Sequence, residues 1–238
     1  MIAGGSANAG RVDRRPPAAG RGRQFARPYT DVVDKAFDTA VYGGMSIDLN
    51  DPANWDTPLF PVSLAAQAAR IAPGTMRIWF ERKRVFLTEY DKPSTKEQPA
   101  RLLTLRSVLA LAVAAELSRG PGGDVSLALS QAKSWTYAGH SGRLDGKDYF
   151  APPAGLFEGE GIMTVLIHHG TETAHVVPVA FLPRKGEDGS EGMRGLTLDA
   201  LFPSCPPVRA MPRLLALNWI DRYVRGVCEG YLHPECKP

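Results

Sequence analysis

The chain has 238 residues, of which 44% are hydrophobic and 22% charged, and its formal net charge is +3. This length suits one large domain or two small ones, and the hydrophobic content is that of a globular protein. No apolar run approaches the ~20 residues that a membrane helix needs, so we expect no membrane span. The start of the sequence lacks the apolar stretch of a signal peptide, which favours a cytoplasmic protein.

Charge is distributed unevenly along the chain. The net charge is +5 for residues 1–28, −5 for residues 29–69, +5 for residues 70–106 and −2 for residues 107–238. Two segments are therefore basic, as expected of a protein that meets polyphosphate there. The first, rich in Arg, Gly, Ala and Pro, is predicted to be a disordered basic arm. Such an arm either adds phosphate contacts or has no function, and the sequence favours neither alternative.

A helical domain is predicted over residues 29–138. Its first helix runs from Tyr29 to Val41, with Thr30 as N-cap and an acidic outer face. An irregular connection follows, in which Trp55 and Phe60 are expected to anchor the chain to the core.

Two short helices come next. Ser63 is expected to cap the first, and Pro73, which cannot continue a helix but suits its first turn, opens the second, which extends to Arg84. Helical spacing turns Met76, Trp79 and Phe80 toward the core. The same spacing turns polar residues outward, namely Thr75, Arg77, Glu81, Arg82 and Arg84.

The run from Pro73 to Arg82, PGTMRIWFER, resembles the recognition helix of the MerR and excisionase-like winged helix-turn-helix proteins. Those proteins carry Ser-Pro-x-Thr, an apolar residue, then Arg-x-Trp/Tyr-x-Glu-Arg-Gly-x-Leu. Val85 and Leu87 stand where that family begins its wing, and Arg101-Leu102-Leu103-Thr104 is similar to its return into the next helix. The resemblance covers about residues 61–109. It departs at Ala72, where the family has Ser, and at Lys83, where it has Gly.

Residues 88–100 are predicted to form the wing, two short strands closing on a solvated tip. Thr104 then caps a helix that runs to about Ser118, and Asp124 opens another that runs to about Tyr137. In the MerR family the helix after the wing continues into a long dimerising coiled coil. Here it ends at a Gly-rich break, so neither that dimer nor the family's effector sensing is expected.

Residues 139–161 are predicted to be a linker, and residues 162–238 a small α+β domain for dimerisation or effector binding. Its elements are a hairpin of Ile162–His168 with Thr173–Phe181, a helical turn at 196–202, a strand at Leu214–Leu217 and a helix from Asn218 or Trp219. Pro178, which has no N–H to donate, predicts that its strand lies at an edge.

No residue pattern indicates an enzyme, a cofactor or a metal. Walker A, HExxH and GxSxG runs are absent from the sequence, and Gly159-Glu160-Gly161 only begins a GxGxxG. His168, His169 and His175 are interpreted as surface or core histidines rather than metal ligands. The three cysteines, Cys205, Cys228 and Cys236, are odd in number and indicate no disulfide framework.

The fold class expected is therefore α+β, a winged helix-turn-helix domain followed by a small sheet and helix. The resemblance implies a bacterial or phage transcriptional regulator that binds double-stranded DNA, with a homodimer through the C-terminal region. The implied DNA-binding residues are Thr75, Arg77, Arg82, Lys83, Arg84, Lys92, Lys96, Arg101 and Arg106. Two alternatives are a protein-interaction adaptor that uses the helix-turn-helix as a scaffold, and an ordinary helical hairpin in a core.

Overall fold

The computed structural model describes residues 47–86, 88–95, 101–119, 123–168, 174–182, 192–194 and 213–234. The predicted arm, the predicted helix at 29–41, Lys96 and the predicted turn at 196–202 lie outside these residues. All described residues belong to one compact unit, which comprises residues 46–238. This described part is mixed α and β, as the sequence predicted, with five α-helices and small antiparallel sheets.

The elements follow one another in this order after a 3-10 turn at Pro52–Asn54: β1 (Phe60–Pro61), α1 (Val62–Ala68), α2 (Pro73–Glu81), β2 (Leu102–Leu103), α3 (Leu105–Ser118), α4 (Val125–Tyr137), β3 (His140–Leu144), β4 (Lys147–Ala151), β5 (Ile162–His168), β6 (Ala174–Leu182), β7 (Gly192–Arg194), β8 (Arg213–Ala216) and α5 (Leu217–Leu232).

The ends of α1 and α2 differ from the prediction. Extended Pro61 is the N-cap of α1 and makes no side-chain cap, so the predicted capping role of Ser63, now inside the helix, is wrong. Strand β1 leads directly into the helix, which leaves no residue for a separate polar cap. Helix α2 ends at Glu81 instead of Arg84.

Both helices end in the same way, through a basic residue in the left-handed conformation. Lys83 has φ of 52° and Arg70 has φ of 53°. The N–H of Lys83 donates to the carbonyl of Phe80 at 3.1 Å, and the N–H of Arg84 to that of Trp79 at 2.9 Å. These two bonds form the Schellman motif that terminates many helices, usually with Gly in the left-handed position.

Helices α3 and α4 confirm their predicted bounds. The Thr104 hydroxyl accepts from the N–H of Ser107 at 3.1 Å, and the Asp124 carboxylate accepts from the N–H of Ser126 at 2.8 Å. Eleven of the 14 residues of α3 are buried, so this helix lies within the core instead of projecting as a coiled coil. Helix α4 buries one face, which includes Ala128, Leu129, Ala132 and Trp135.

A short antiparallel ladder lies next to the helix pair. Phe60 pairs with Leu103 and Pro61 with Leu102. On the other side, Lys92 and Leu102 exchange backbone hydrogen bonds of 2.9 and 3.0 Å. The sequence predicted two wing strands that pair with each other. The described residues contain a single bridge at this place, and the strand β2 that takes part in it also pairs with β1.

The segment 139–161, predicted as a linker, contains a hairpin and packs into the core. Strands β3 and β4 pair from His140 opposite Ala151 to Leu144 opposite Lys147. Ala151, Ala154 and Phe157 are buried in the cluster that also holds the helices. The indole N–H of Trp135 in α4 donates to the carbonyl of Gly155 at 2.9 Å. These contacts depend on distant residues, which a local reading of Gly, Pro and charge does not reveal.

The C-terminal sheet has the order β7-β6-β5-β8 and confirms the predicted hairpin and third strand. The prediction that Pro178 puts its strand at an edge is wrong for the strand as a whole, since β6 lies between β5 and β7. The described rungs to β7 are limited to residues 180–182 of β6, so the missing N–H of Pro178 interrupts none of them. Helix α5 follows β8 directly, one or two residues earlier than predicted.

A single large hydrophobic cluster joins the helices to one face of the sheet. Leu166 and Val176 of the sheet are buried in it together with Leu217, Val224 and Cys228 of α5. A smaller cluster of Val165, Ile167 and Val179 lies on the other face, as the two-residue period of strands requires. Within the described residues, no helix combines the length and the apolar character that crossing a bilayer requires.

Candidate nucleic-acid interface

The outer face of α2 has the orientation that the sequence predicted. Met76, Trp79 and Phe80 are buried, whereas all the polar residues predicted to point outward are exposed. Pro73 supplies the first helical residue, where its missing N–H leaves no helical bond unmade. The guanidinium groups of α2 therefore lie on the surface, and the buried aromatic side chains on the other side of the helix fix it in the core.

The exposed side chains of α2 fall into two flanks. Successive helical residues are rotated by about 100°, so Thr75 and Arg82 lie within roughly 20° of each other, whereas Arg77 is roughly 140° from Arg82. Between the flanks lie Ile78, which is 44% exposed, and Glu81. The sequence analysis did not single out Ile78, although its position opposite the buried aromatic residues was the available signal.

Arg77 forms an ion pair within the helix. Its Nε lies 2.6 Å from Oε1 of Glu81, and both side chains are more than half exposed. The hydrogen bond to Glu81, with the charge of that carboxylate, raises the pKa of the Arg77 guanidinium above its ordinary value. An exposed pair at this spacing contributes little to stability because water screens it, so a ligand with stronger anionic groups can displace it.

Other predicted residues extend the basic surface around α2. Arg101 holds its guanidinium over the ring of Phe80, 5.3 Å from the ring centre. Phe80 lies three residues after Arg77 on the helix, so Arg101 stands beside the Arg77 flank. Lys83 and Arg84 are exposed at the C-terminal end of α2, and Lys92 is exposed on the ladder.

Asp91 fixes the position of Lys92 relative to α3. Its buried carboxylate accepts the N–H and hydroxyl of Thr88, both at 2.8 Å, the N–H of Thr104 at 2.9 Å and the hydroxyl of Ser107 at 2.8 Å. The Ser107 hydroxyl also lies 3.0 Å from that of Tyr137, whose pKa is raised chiefly by burial. The loop after α2 is thereby attached to the first turn of α3.

Arg106, the last of the predicted DNA contacts, is largely buried. Its side chain is only 15% exposed, and its Nε is 2.9 Å from the Asp56 carboxylate. Its Nη1 donates to the carbonyl oxygens of Thr136 at 3.1 Å and Pro153 at 3.3 Å. The expectation that Arg106 contacts DNA is not supported by this position, because its donors are directed to groups of the protein itself.

Known proteins offer no match to this arrangement. No family model matches the chain, and no curated protein and no solved structure matches it either.

Large apolar side chains are exposed beside this basic surface. Phe86 is 62% exposed and Tyr90 is 46% exposed. Phe86 borders a small cleft whose other walls include Leu111, Leu129 and Lys133. The sequence analysis identified none of these residues as functional, since Phe and Tyr near a basic helix are read by default as core residues.

Proposed function

We propose that the chain is a sequence-specific binder of double-stranded DNA, a bacterial or phage transcriptional regulator of the MerR or excisionase-like type. In this proposal α2 enters the major groove, the protein acts in the cytoplasm as a homodimer, and it has no enzymatic activity. The observation that carries the proposal is the orientation of α2, with the Trp79 indole buried and the Arg77 and Arg82 guanidinium groups exposed.

The neighbouring elements support this proposal. Two short helices joined by a tight turn, with an antiparallel ladder beside them, are parts that a winged helix-turn-helix domain also contains. The stretch from Thr75 to Arg84 contains four basic residues and one acidic residue, a net charge of +3. Such a surface attracts the phosphate backbone whatever the base sequence.

The proposed roles follow from position. Arg77, Thr75 and Arg82 are directed to base edges, where an arginine pairs with two acceptors of guanine. The described basic residues around them are assigned to phosphates, namely Lys83, Arg84, Lys92 and Arg101. Lys96 is assigned to phosphate from the sequence alone. Arg106 is left out of this set because its side chain is only 15% exposed and its Nη1 already donates to two carbonyl oxygens of the protein.

The test is a binding assay on a duplex selected from a randomised library. Arg77→Ala and Arg82→Ala are each expected to weaken binding of that duplex by about 1–3 kcal/mol in fluorescence polarisation. With four to six phosphates neutralised, the slope of log K against log salt should be about −4 to −5. Arg143→Ala is the matched control, because Arg143 is a similarly exposed arginine on the β3–β4 hairpin.

Two results would contradict the proposal. One is equal affinity of the wild type and the triple variant Arg77→Ala/Arg82→Ala/Arg84→Ala for the selected duplex. The other is that Arg143→Ala weakens binding as much as the α2 substitutions, since this would assign the interaction to total charge and not to α2.

Glu81 offers a second test with the opposite sign. Glu81→Gln releases Arg77 from its ion pair and removes a carboxylate from the face proposed to meet phosphate. We expect tighter DNA binding and a nearly unchanged free energy of unfolding, since a solvent-exposed pair contributes little to stability. Weaker binding by this variant would mean that Glu81 itself contacts the ligand.

The second candidate function is a protein-interaction adaptor. Exposure of Ile78 in the middle of the α2 face, together with Phe86 at the edge of an apolar cleft, favours a protein partner. The combined variant Ile78→Ser/Phe86→Ser distinguishes the two. If the chain is an adaptor, this variant loses its stoichiometric protein partner in a pull-down, and no salt-sensitive DNA binding is measured for the wild type.

A further inference from the structure

Helix α5 presents an outward stripe of two aromatic residues followed by two glycines. Trp219 is 66% exposed and Tyr223 is 37% exposed. Gly226 and Gly230 are also exposed, and a Cβ added at either would meet no described atom within 4 Å. Glycine is unfavourable in the middle of a helix relative to alanine, and packing among the described residues does not require it here.

These four residues form a straight seam. Their spacings of four, three and four residues average about 3.7, and about 100° of rotation per residue places all of them within roughly 60° of one another. The repeat of four and three residues is that of a helix that lies along another helix.

The inner side of α5 is already occupied, so the seam cannot turn inward. Leu217, Val224 and Cys228 are buried in the main core. Both carboxylate oxygens of Asp221 accept from Nε of Arg225, at 2.8 and 2.9 Å, and Arg225 also donates to the carbonyl of Leu49. These contacts fix the rotation of the helix about its axis, and Trp219 is held outward.

We propose that a second copy of this chain covers the seam, with the two α5 helices antiparallel about a twofold axis. A single register places Trp219 opposite Gly230 of the second copy and, at the same time, Tyr223 opposite Gly226 of that copy. In both pairs the residue numbers add up to the same value, 449, as one antiparallel register requires. Each large aromatic side chain then meets a residue without a side chain, so the two backbones can approach closely.

Charge complementarity supports the same register. Arg222 and Glu229 are both exposed and lie on the same side of the seam, seven residues apart. In the proposed register Arg222 of each copy flanks Glu229 of the other, and the twofold axis produces this pair twice. On the opposite side, half-buried Ile220 comes beside Val227 of the second copy. A parallel arrangement would instead place Trp219 beside Trp219 and would move Arg222 away from Glu229 of the second copy.

A second copy fits this face better than an unrelated segment, because the face is complementary to itself in shape and in charge. The inference does not depend on DNA binding, and its test needs no DNA. The helix proposed to form this dimer is α5. The helix that follows the ladder, where the MerR family has its dimerising helix, is α3, and α3 is buried.

The experiment measures the mass of the full-length protein against concentration by sedimentation equilibrium. The wild type is expected to form a dimer that dissociates on dilution. Arg222→Glu and Glu229→Arg each turn two attractive pairs into two repulsive pairs, and each should raise the dimer dissociation constant about tenfold. The double variant Arg222→Glu/Glu229→Arg restores opposite charges in both pairs and should return the constant to near that of the wild type.

Shape is tested separately. Trp219→Ala removes an aromatic anchor and Gly230→Leu fills the space opposite it, and each should raise the dissociation constant at least about tenfold. Arg143→Glu, on the β3–β4 hairpin, is the control and should leave the constant unchanged. Circular dichroism of each variant checks that the fold is retained, as expected for exposed positions.

Several outcomes would overturn the proposal. A wild type that stays monomeric at all concentrations means that another occupant, such as residues 1–46 of the same chain, covers the seam or that it stays free. A dimer that all five variants leave unchanged uses another surface. Failure of the double charge reversal to restore the dimer that each single reversal weakens would exclude the antiparallel register.

Discussion

The backbone N–H of Lys83 donates to the carbonyl of Phe80 while Lys83 itself is in the left-handed conformation, with φ of 52°. A side chain at this position strains the backbone, because Cβ crowds the neighbouring carbonyl. Lys83→Gly is therefore expected to raise the free energy of unfolding by about 0.5–1 kcal/mol in urea titrations. Arg84→Gly, one residue on, should give no such gain, and a loss of stability in Lys83→Gly would contradict the assigned conformation.

Asp91→Asn tests the link between the loop after α2 and helix α3. The buried carboxylate accepts four hydrogen bonds, whereas an amide at this site offers a single oxygen acceptor and directs two N–H donors at groups that also donate. We expect a loss of about 2–3 kcal/mol in the free energy of unfolding, measured by denaturant titration. Asp145→Asn, in the exposed β3–β4 turn, is the control and should be nearly neutral, since Asn tolerates its φ of 50°.

Arg106→Ala is expected to affect stability more than DNA binding. It removes the partner of Asp56 and leaves the carbonyl oxygens of Thr136 and Pro153 without this donor. The expected loss is about 2–3 kcal/mol of unfolding free energy. Arg82→Ala should change it by less than about 0.5 kcal/mol, because Arg82 is exposed. Similar stability of the two variants would show that the Arg106 contacts contribute little.

His140 makes the protein less stable in mild acid. Burial lowers the pKa of its imidazole, and the hydrogen bond to the carbonyl of Ser134 opposes this only in part. The unfolded chain then binds the proton more readily, so stability is fully present above pH ~6.5 and is lost as pH falls through the lower folded pKa. Unfolding free energies measured between pH 8 and 5 should fall less for His140→Gln than for the wild type, and parallel curves would contradict the shift.

Cys228 should resist alkylation in the folded protein. Burial raises the pKa of its thiol to about 12, so at pH 8 only about one thiol in 10,000 is the reactive thiolate. In a Cys205→Ser/Cys236→Ser background, we expect Ellman's reagent to detect this thiol only after denaturant is added. Rapid reaction under native conditions would mean that α5 separates from the core.

Local signals explain why some elements were predicted correctly. Thr104 and Asp124 cap their helices with their own side chains, within three residues of the groups they bond. The end of α2 was predicted three residues too late because the usual signal, a glycine, is absent. Lys83 adopts the left-handed conformation in its place, and a lysine side chain does not indicate this backbone conformation.

The sequence by itself determined the mixed α and β class, the bounds of α3 and α4, and the burial of Met76, Trp79 and Phe80 under an exposed basic face. Caps and helical periods act between residues that are close along the chain, which makes them readable. The tertiary structure alone decided that Arg106 is bonded inside, that residues 139–161 pack into the core and that Trp219 stays outside. Arg106 is bonded to residues 30 and 47 positions away, and such partners are chosen only when the chain has folded.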